Sequence, residues 1–319
     1  MSHYEKLNMT ADADAGSFVR ELKGSTGTGF EKKTHVHKDW WATTISYDDA
    51  MENLQRSAEE REDILEPVKN IRAVVNEDGE FAFDVQGREF VPTDWSLQQF
   101  SIRSNVPSST VIQKLRLQED FDADDAAIMV GLANNALRRL NQDKIYRMRT
   151  YTDGTCRAFV TDRYAPIDNR WYLEQLQNNL PEGRLSHWRG DEDTIFGNIL
   201  LPDTIIDYGQ SDDSDYGGMM SIGNCEIGKR RIQQVPSLFR SICLNGCIWG
   251  QVSGSAIKKR HIGNIDLVEL GGQITANINE QLPLLPMGVR KLLELRELDC
   301  LDATMKSVFA AVAMENKFS

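Results

Sequence analysis

Apolar residues recur at roughly helical spacing along residues 46–67, SYDDAMENLQRSAEEREDILEP. Ser46 and the acidic residues that follow it are typical of a helix N-terminus, and Pro67 ends the pattern. The apolar stripe consists of Met51, Leu54, Ala58, Ile64 and Leu65. We therefore predict one amphipathic helix over this whole segment, with its charged residues on the solvent side.

The hydrophobic period then changes to that of strands. Residues 71–92, IRAVVNEDGEFAFDVQGREFVP, contain two strand-like runs joined by Glu77-Asp78-Gly79, which predicts a β-hairpin. Further strand-like runs occupy residues 194–208 and 216–224. Helical patterns return in residues 122–142, in a short segment that follows an Asp-Asn cap, and in the C-terminal tail.

This order of elements predicts an α+β fold, a mostly antiparallel sheet built from hairpins, with packed helices and a helical C-terminal tail. The chain has 319 residues, of which 40% are hydrophobic, so it can bury a sizeable core. We predict three parts: a polar N-terminal arm over residues 1–44, a mixed α+β core over residues 45–275, and a C-terminal helical segment over residues 276–319.

The strongest turn signal lies in residues 147–169, RMRTYTDGTCRAFVTDRYAPIDN, where Asp153-Gly154 separates two strand-forming runs. With a two-residue type I′ turn at this point, alternate residues of each strand share one face of the hairpin. We predict that Met148 and Phe159 face the core. The opposite face is then basic and aromatic, and is free to reach outward: Arg147, Arg149 and Tyr151.

This hairpin is locally basic in an acidic chain. The formal net charge of the protein is −12, whereas residues 138–163 contain seven basic and three acidic side chains, a local balance of +4. Paired guanidinium groups beside an aromatic ring suit phosphate contact combined with base stacking. Alternatively, these arginines pair with the protein's own carboxylates, and the sequence leaves both possibilities open.

Two further basic clusters follow the hairpin, at residues 229–231 and 258–260. If the fold brings them beside the hairpin, the three segments form one groove for a polynucleotide backbone. The candidate nucleic-acid-binding residues are Arg147, Arg149, Tyr151, Arg157, Arg163, Lys229, Arg230, Arg231, Lys258, Lys259 and Arg260.

Residues 95–117, WSLQQFSIRSNVPSSTVIQKLRL, indicate two short helices around a turn at Asn105-Val106-Pro107. Helix-turn-helix DNA readers share this outline, and their second helix reads the major groove. Ser109, Thr110 and Gln113 would then contact bases. An ordinary packed helix pair explains the same pattern, and we favour it.

The sequence contains no HExxH, Gly-x-Ser-x-Gly or Walker pattern, and of its five histidines only His35 and His37 lie close together. We therefore expect neither a catalytic centre nor a cofactor. A nuclease or another phosphate-transfer enzyme remains the alternative, in which case His261→Ala would abolish turnover.

The five cysteines form no C-x-x-C pair, so we expect reduced thiols and no metal site. A zinc site made of Cys225, Cys243, Cys247 and His261 would lack the usual second close pair of ligands. The N-terminal residues show no signal-peptide pattern, and no run of about 18 apolar residues occurs. We expect a cytoplasmic protein without a membrane partner.

Four segments, in this order, resemble the phage and plasmid proteins grouped as domain-of-unknown-function family 932: QFSIRSNVPSSTVIQKL, RTYTDGTCRAFVTDRYAPIDN, FRSICLNGCIWG and IKKRHIG. The likeness covers roughly residues 95–263. It implies mobile-element biology in a bacterial host cell and supplies no established chemistry. The arginine-rich hairpin also resembles, in outline, the DNA groove of ring-forming single-strand annealing proteins of phage recombination.

We therefore expect a phage or plasmid single-stranded DNA-binding protein, non-catalytic and homo-oligomeric, that acts in annealing or recombination. One alternative is a host-takeover or protein-interaction protein that binds through its acidic surface. Another is a sequence-specific DNA binder that uses the helix pair of residues 95–117.

Overall fold

The computed structural model describes residues 44–105, 122–190, 193–207, 215–240, 247–251 and 256–297. The described helices are α1 (Tyr47–Glu60), α2 (Asp94–Ser104), α3 (Ala123–Arg139), α4 (Asn169–Asn179), α5 (Leu267–Gln281) and α6 (Leu284–Glu297). The strands are β1 (Arg61–Pro67), β2 (Ile71–Val75), β3 (Phe81–Val85), β4 (Arg88–Pro92), β5 (Ile145–Tyr151), β6 (Thr155–Thr161), β7 (Arg184–Gly190), β8 (Thr194–Leu200), β9 (Ile206–Asp207), β10 (Asp215–Cys225), β11 (Ile232–Arg240), β12 (Cys247–Gln251) and β13 (Ile257–Lys259). The predicted α+β class is confirmed, because helices pack against mostly antiparallel sheets.

The first sheet has six strands in the order β1-β5-β6-β4-β3-β2. Its pairs are antiparallel except for β4 and β6, which run parallel. Helices α2 and α3 cover one face and bury an aromatic cluster with it. The rings of Phe83, Phe100 and Phe159 meet at centroid distances of 5.1 to 5.5 Å. Burial of such large rings stabilises this layer.

The second sheet has the order β12-β11-β10-β8-β7, with β13 paired to β11 and β9 paired to β10. Its inner face packs against α1, α4, α5 and α6. Tyr172 of α4, Ile222 of β10 and Ile274 of α5 belong to the apolar cluster between these layers.

A smaller cluster joins the two sheets. Ala158 and Val160 of β6 pack there against Cys225 and Ile227, which lie at the end of β10 and just after it. The indole N–H of Trp95 donates a hydrogen bond of 2.9 Å to the carbonyl oxygen of Ile227. The turn between β10 and β11 is thereby fixed to the first sheet.

The predicted helix over residues 46–67 is wrong in its second half. Ser46 caps α1 as expected, with a capping box to Asp49, but the helix ends at Glu60 and β1 follows immediately. Ile64 pairs with Met148 of β5, so it is buried by strand pairing and not by a helical stripe. Tertiary pairing overrides a local helical period in this segment.

The hairpin of β5 and β6 has a different turn from the predicted one. The amide of Gly154 donates to the carbonyl of Tyr151 at 3.0 Å, which makes Thr152 and Asp153 the central residues. Gly154 has φ of +78°, and no positive φ is found at Asp153. The turn is therefore type I followed by a glycine bulge, and the register shifts by one residue between Arg149 and Thr150.

One other expectation changes. Residues 71–92 form three strands, β2 to β4, instead of a single hairpin. Strand β7 and helix α5 were not predicted, and the boundary drawn after residue 275 falls inside α5. The predicted arm over residues 1–44 lies outside the described residues except for Thr44. In the part of the chain that is described, no helix is long and apolar enough to span a membrane.

Candidate functional site

The two arginines at the centre of the predicted groove bind carboxylates of the protein itself. Arg149 is 5% exposed. Its Nε and Nη2 donate to the Asp63 carboxylate at 2.8 and 2.9 Å, and its Nη1 donates to Glu226 Oε2 at 2.7 Å. Arg147 Nη1 donates to Asp63 Oδ2 at 2.9 Å. Of the two possibilities that the sequence left open, the structure shows ion pairing for both residues.

The aromatic member of that face is also covered. Tyr151 is 3% exposed, and the guanidinium carbon of Arg157 lies 3.9 Å from its ring centroid. Arg157 is 8% exposed and donates to Asp153 Oδ2 at 2.9 Å, while the Tyr151 hydroxyl donates to Asp193 Oδ1 at 2.9 Å. The predicted outward-facing basic-aromatic face is therefore wrong, because the second sheet and β1 supply carboxylates that draw these side chains inward.

Glu226 connects the two sheets through this network. It lies just after β10, is 2% exposed, and accepts hydrogen bonds from Arg61, Arg149 and the amide of Asn169. Burial raises the pKa of Glu226, although the neighbouring guanidinium groups lower it. Arg61 also pairs with Asp168, the N-cap of α4. These groups hold β1, β5, β10 and α4 together, so we assign them a structural role.

The neighbouring charges also affect Asp63 and Arg149. Burial raises the pKa of Asp63, but the hydrogen bonds and charges of Arg149 and Arg147 outweigh it and hold that pKa below its ordinary value. Burial lowers the pKa of Arg149, but the hydrogen bond and charge of Asp63 and the charge of Glu226 raise it overall. The pair therefore stays ionised near neutral pH.

The other two predicted clusters come together at one end of the second sheet. Residues 229–231 form the exposed end of the turn between β10 and β11. Ile232 of β11 pairs with Lys259 of β13, so residues 258–260 run antiparallel beside this turn. The strand pairing thus brings two clusters that are far apart in sequence side by side.

Arg163 follows β6 of the first sheet, and its backbone lies beside the segment that follows β13. Its carbonyl oxygen accepts a hydrogen bond of 2.8 Å from the Gly263 amide, and Tyr164 forms a β-bridge with Ile262. The Arg163 side chain is exposed. We call the combined surface the basic end; it consists of Arg163, Lys229, Arg230, Arg231, Lys258, Lys259 and Arg260.

The basic end differs from the hairpin in its charge pairing. Within the ranges that the structure covers, none of Arg163, Arg230, Arg231, Lys258, Lys259 and Arg260 forms an ion pair with a carboxylate. Exposed positive charges concentrated on one surface suit an anionic ligand of extended shape.

His261 fixes the position of this surface. Its ring is 4% exposed and stacks on Tyr164 at 5.4 Å with an interplanar angle of 7°. Nδ1 lies 3.2 Å from the carbonyl oxygen of Ala165, which can only accept, so Nδ1 carries the proton in the neutral ring. Burial lowers the pKa of His261 to about 4, so the neutral form is present at neutral pH. The burial and stacking of His261 are explained by a structural role, and we do not assign it as a general base.

A row of residues on the outer face of the second sheet was missed by the sequence reasoning. Strand pairing aligns one residue from each of five strands: Arg189, Phe196, Gly223, Gln233 and Lys258. The guanidinium carbon of Arg230 lies 5.7 Å from the Phe196 ring centroid. Local sequence could not find this row, because it depends on the register of strands that are far apart along the chain.

The remaining candidates do not form a site among the described residues. There, no group of three His, Cys, Asp or Glu side chains could hold a metal ion. Cys156 and Cys225 are buried thiols, and burial raises the pKa of Cys156 to about 12. Cys243 and the second predicted helix of residues 95–117 lie outside the described part of the chain.

Comparison with known proteins gives no relative. No family model matches the chain, and neither a curated protein nor a solved structure matches it.

Proposed function

We propose that the protein binds single-stranded nucleic acid, DNA in the first instance, through the basic end and the adjoining outer face of the second sheet. The observation that carries the proposal is the pairing of β11 with β13, which places the exposed residues 229–231 beside residues 258–260. Phosphate groups spaced along a strand would contact these cations and release condensed counterions. The arginines of the β5–β6 hairpin are not part of the proposed interface.

The charge distribution favours binding of nucleic acid at one defined interface over non-specific binding across the protein surface. With a net charge of −12, most of the protein surface repels a polyanion, and binding is then confined to the place where cations are concentrated. We further propose, on the resemblance to family 932, a role in annealing or recombination of phage or plasmid DNA. That role would be carried out by a homo-oligomer in the bacterial cytoplasm.

Titration of a fluorescently labelled single strand at increasing salt tests the proposal. We expect the logarithm of the association constant to fall linearly with the logarithm of the salt concentration, with a slope of about 0.7 per phosphate contact. Arg231→Ala combined with Arg260→Ala should lower that slope by about 1.4 and weaken binding at low salt.

The matched control removes two exposed arginines elsewhere. Arg138 and Arg139 lie in the last turn of α3, so Arg138→Ala with Arg139→Ala changes the net charge equally outside the basic end. Equal weakening by both double variants would contradict a local interface, and undetectable binding by the unaltered protein at low salt would reject nucleic-acid binding. Duplex DNA and single-stranded RNA serve as parallel ligands that define the class of nucleic acid.

A further inference from the structure

The aromatic ring of Phe196 lies on the outer face of the second sheet, in the same row as Arg189 and Lys258. Phe196 of β8 pairs with Arg189 of β7 on one side and with Gly223 of β10 on the other. The row continues through Gln233 to Lys258. Since neighbouring strands are about 4.8 Å apart, the row from β7 to β13 extends about 19 Å across the sheet.

The Phe196 side chain is placed for contact with a ligand. It is partly exposed and belongs to none of the buried apolar clusters of the described residues. Its neighbour on β10 is Gly223, which has no side chain, and the Gln233 side chain of β11 lies over that glycine. The guanidinium carbon of Arg230 lies 5.7 Å from the ring centroid. Exposed Arg230 is therefore beside the ring without the close stacking that covers Tyr151, where the corresponding distance is 3.9 Å.

A partly exposed phenylalanine flanked by cations suits one chemical class better than others. A nucleobase offers a flat π-face for the ring, and its phosphates offer negative charge for the side chains around it. A duplex hides its base faces within the stack, so this arrangement favours an unpaired strand. An acidic peptide would use the same cations but would gain little from the ring.

We propose that Phe196 is a base-stacking position, with adjacent phosphates bound by Arg189, Arg230 and Lys258. The inference rests on the proposed function and specifies its ligand as a strand with accessible bases. It also moves the stacking role from Tyr151, which is buried, to a residue on a different sheet.

The affinities of two proteins, the unaltered chain and Phe196→Ala, for two ligands test this inference. The ligands are an oligothymidylate of about 16 nucleotides and an abasic strand of equal length, which keeps the phosphates but lacks the bases. The unaltered protein should bind the oligothymidylate more tightly than the abasic strand. Phe196→Ala should weaken oligothymidylate binding about 5- to 150-fold and leave abasic binding unchanged.

Two further variants separate aromatic stacking from packing. Phe196→Tyr keeps an aromatic ring and should bind as the unaltered protein does, whereas Phe196→Leu keeps an apolar side chain and should bind as Phe196→Ala does. If the alanine variant does not fold, the leucine variant carries the comparison.

The outcomes distinguish the two proposals. If the unaltered protein binds with the expected salt dependence but Phe196→Leu retains full affinity for oligothymidylate, stacking is rejected and the cationic interface stands. Equal affinity of the unaltered protein for the two strands rejects stacking in the same way. If the unaltered protein binds neither strand at low salt, the proposed function itself fails, and the inference fails with it.

Discussion

The guanidinium of Arg149, in the first sheet, lies 2.7 Å from the carboxylate of Glu226, at the end of the long central strand of the second sheet. Both side chains are almost fully buried. A buried charge without a partner is strongly unfavourable, so this contact fixes how the two sheets join. The arginines that first suggest a nucleic-acid groove thus contribute instead to the attachment of one layer to the other.

Removal of Glu226 should destabilise the protein severely. Glu226→Ala leaves Arg149 and Arg61 without their shared acceptor at a buried position, and we expect a loss of about 3 to 5 kcal/mol in the free energy of unfolding. Urea denaturation, monitored by circular dichroism, measures this change in the free energy of unfolding.

The control is an exposed pair of the same residue types. Arg88 Nη1 lies 2.8 Å from Glu62 Oε2 in solvent-exposed positions, so Arg88→Ala should change the free energy of unfolding by less than about 1 kcal/mol. A loss for Glu226→Ala no larger than that of the control would show that the buried network does not stabilise the joined sheets.

This network could not be predicted from the sequence, because the local pattern did not indicate the positions of its two acidic residues, Asp63 and Glu226. The helical period of residues 46–67 put Asp63 on a solvated helix face. In the structure Asp63 lies on β1 directly opposite Arg149. Glu226 is three residues from a lysine in an evidently basic segment, and nothing in the local pattern indicates its burial. The cap and the acidic first turn of α1 were predicted correctly, because these signals act within one or two turns.

The stability of the protein should depend on pH through His261. Burial lowers its pKa to about 4 in the folded state, whereas an unfolded histidine titrates near about 6.5. Between these values the unfolded chain binds more protons, so stability is lost as the pH falls from about 6.5 to about 4. The expected loss from this group is about 3 kcal/mol.

Urea denaturation at several pH values identifies the source of that loss. His261→Gln removes the titrating ring and should flatten the dependence in this window. If the slope of the unaltered protein persists in His261→Gln, another group is responsible for it.

Two glycine replacements should have opposite effects on stability. Gly154 has φ of +78° in the β5–β6 turn, so Gly154→Ala should cost about 1 to 2 kcal/mol. Gly131 lies within α3, where an added Cβ meets nothing within 4 Å. Gly131→Ala should therefore raise the free energy of unfolding by about 0.5 to 1 kcal/mol. Thermal unfolding of the two variants checks the signs, and destabilisation by both would contradict the conformational argument.

The candidate site shows the same division between local and non-local information. Composition identified residues 229–231 and 258–260 as basic clusters, and the pairing of β11 with β13 places them together. Composition could not show that Arg147 and Arg149 form ion pairs whereas these cations do not. That difference depends on which carboxylates the fold brings near each side chain. The Asp153-Gly154 signal located the hairpin correctly, yet the one-residue bulge and the covering of Tyr151 follow from tertiary packing.

Arg147 provides the sharpest test of where a nucleic acid binds. It is partly buried and donates to Asp63, so Arg147→Ala should lower stability while leaving affinity for single-stranded DNA within about twofold of the unaltered protein. Arg230→Ala, which removes an exposed cation beside Phe196, should instead weaken binding and lower the salt slope by about 0.7 with little change in stability. Anisotropy titrations of both variants, with urea denaturation alongside, measure the two quantities. If instead Arg147→Ala weakens binding and Arg230→Ala does not, the interface lies at the β5–β6 hairpin. The ion pair between Arg147 and Asp63 would then have to break on binding.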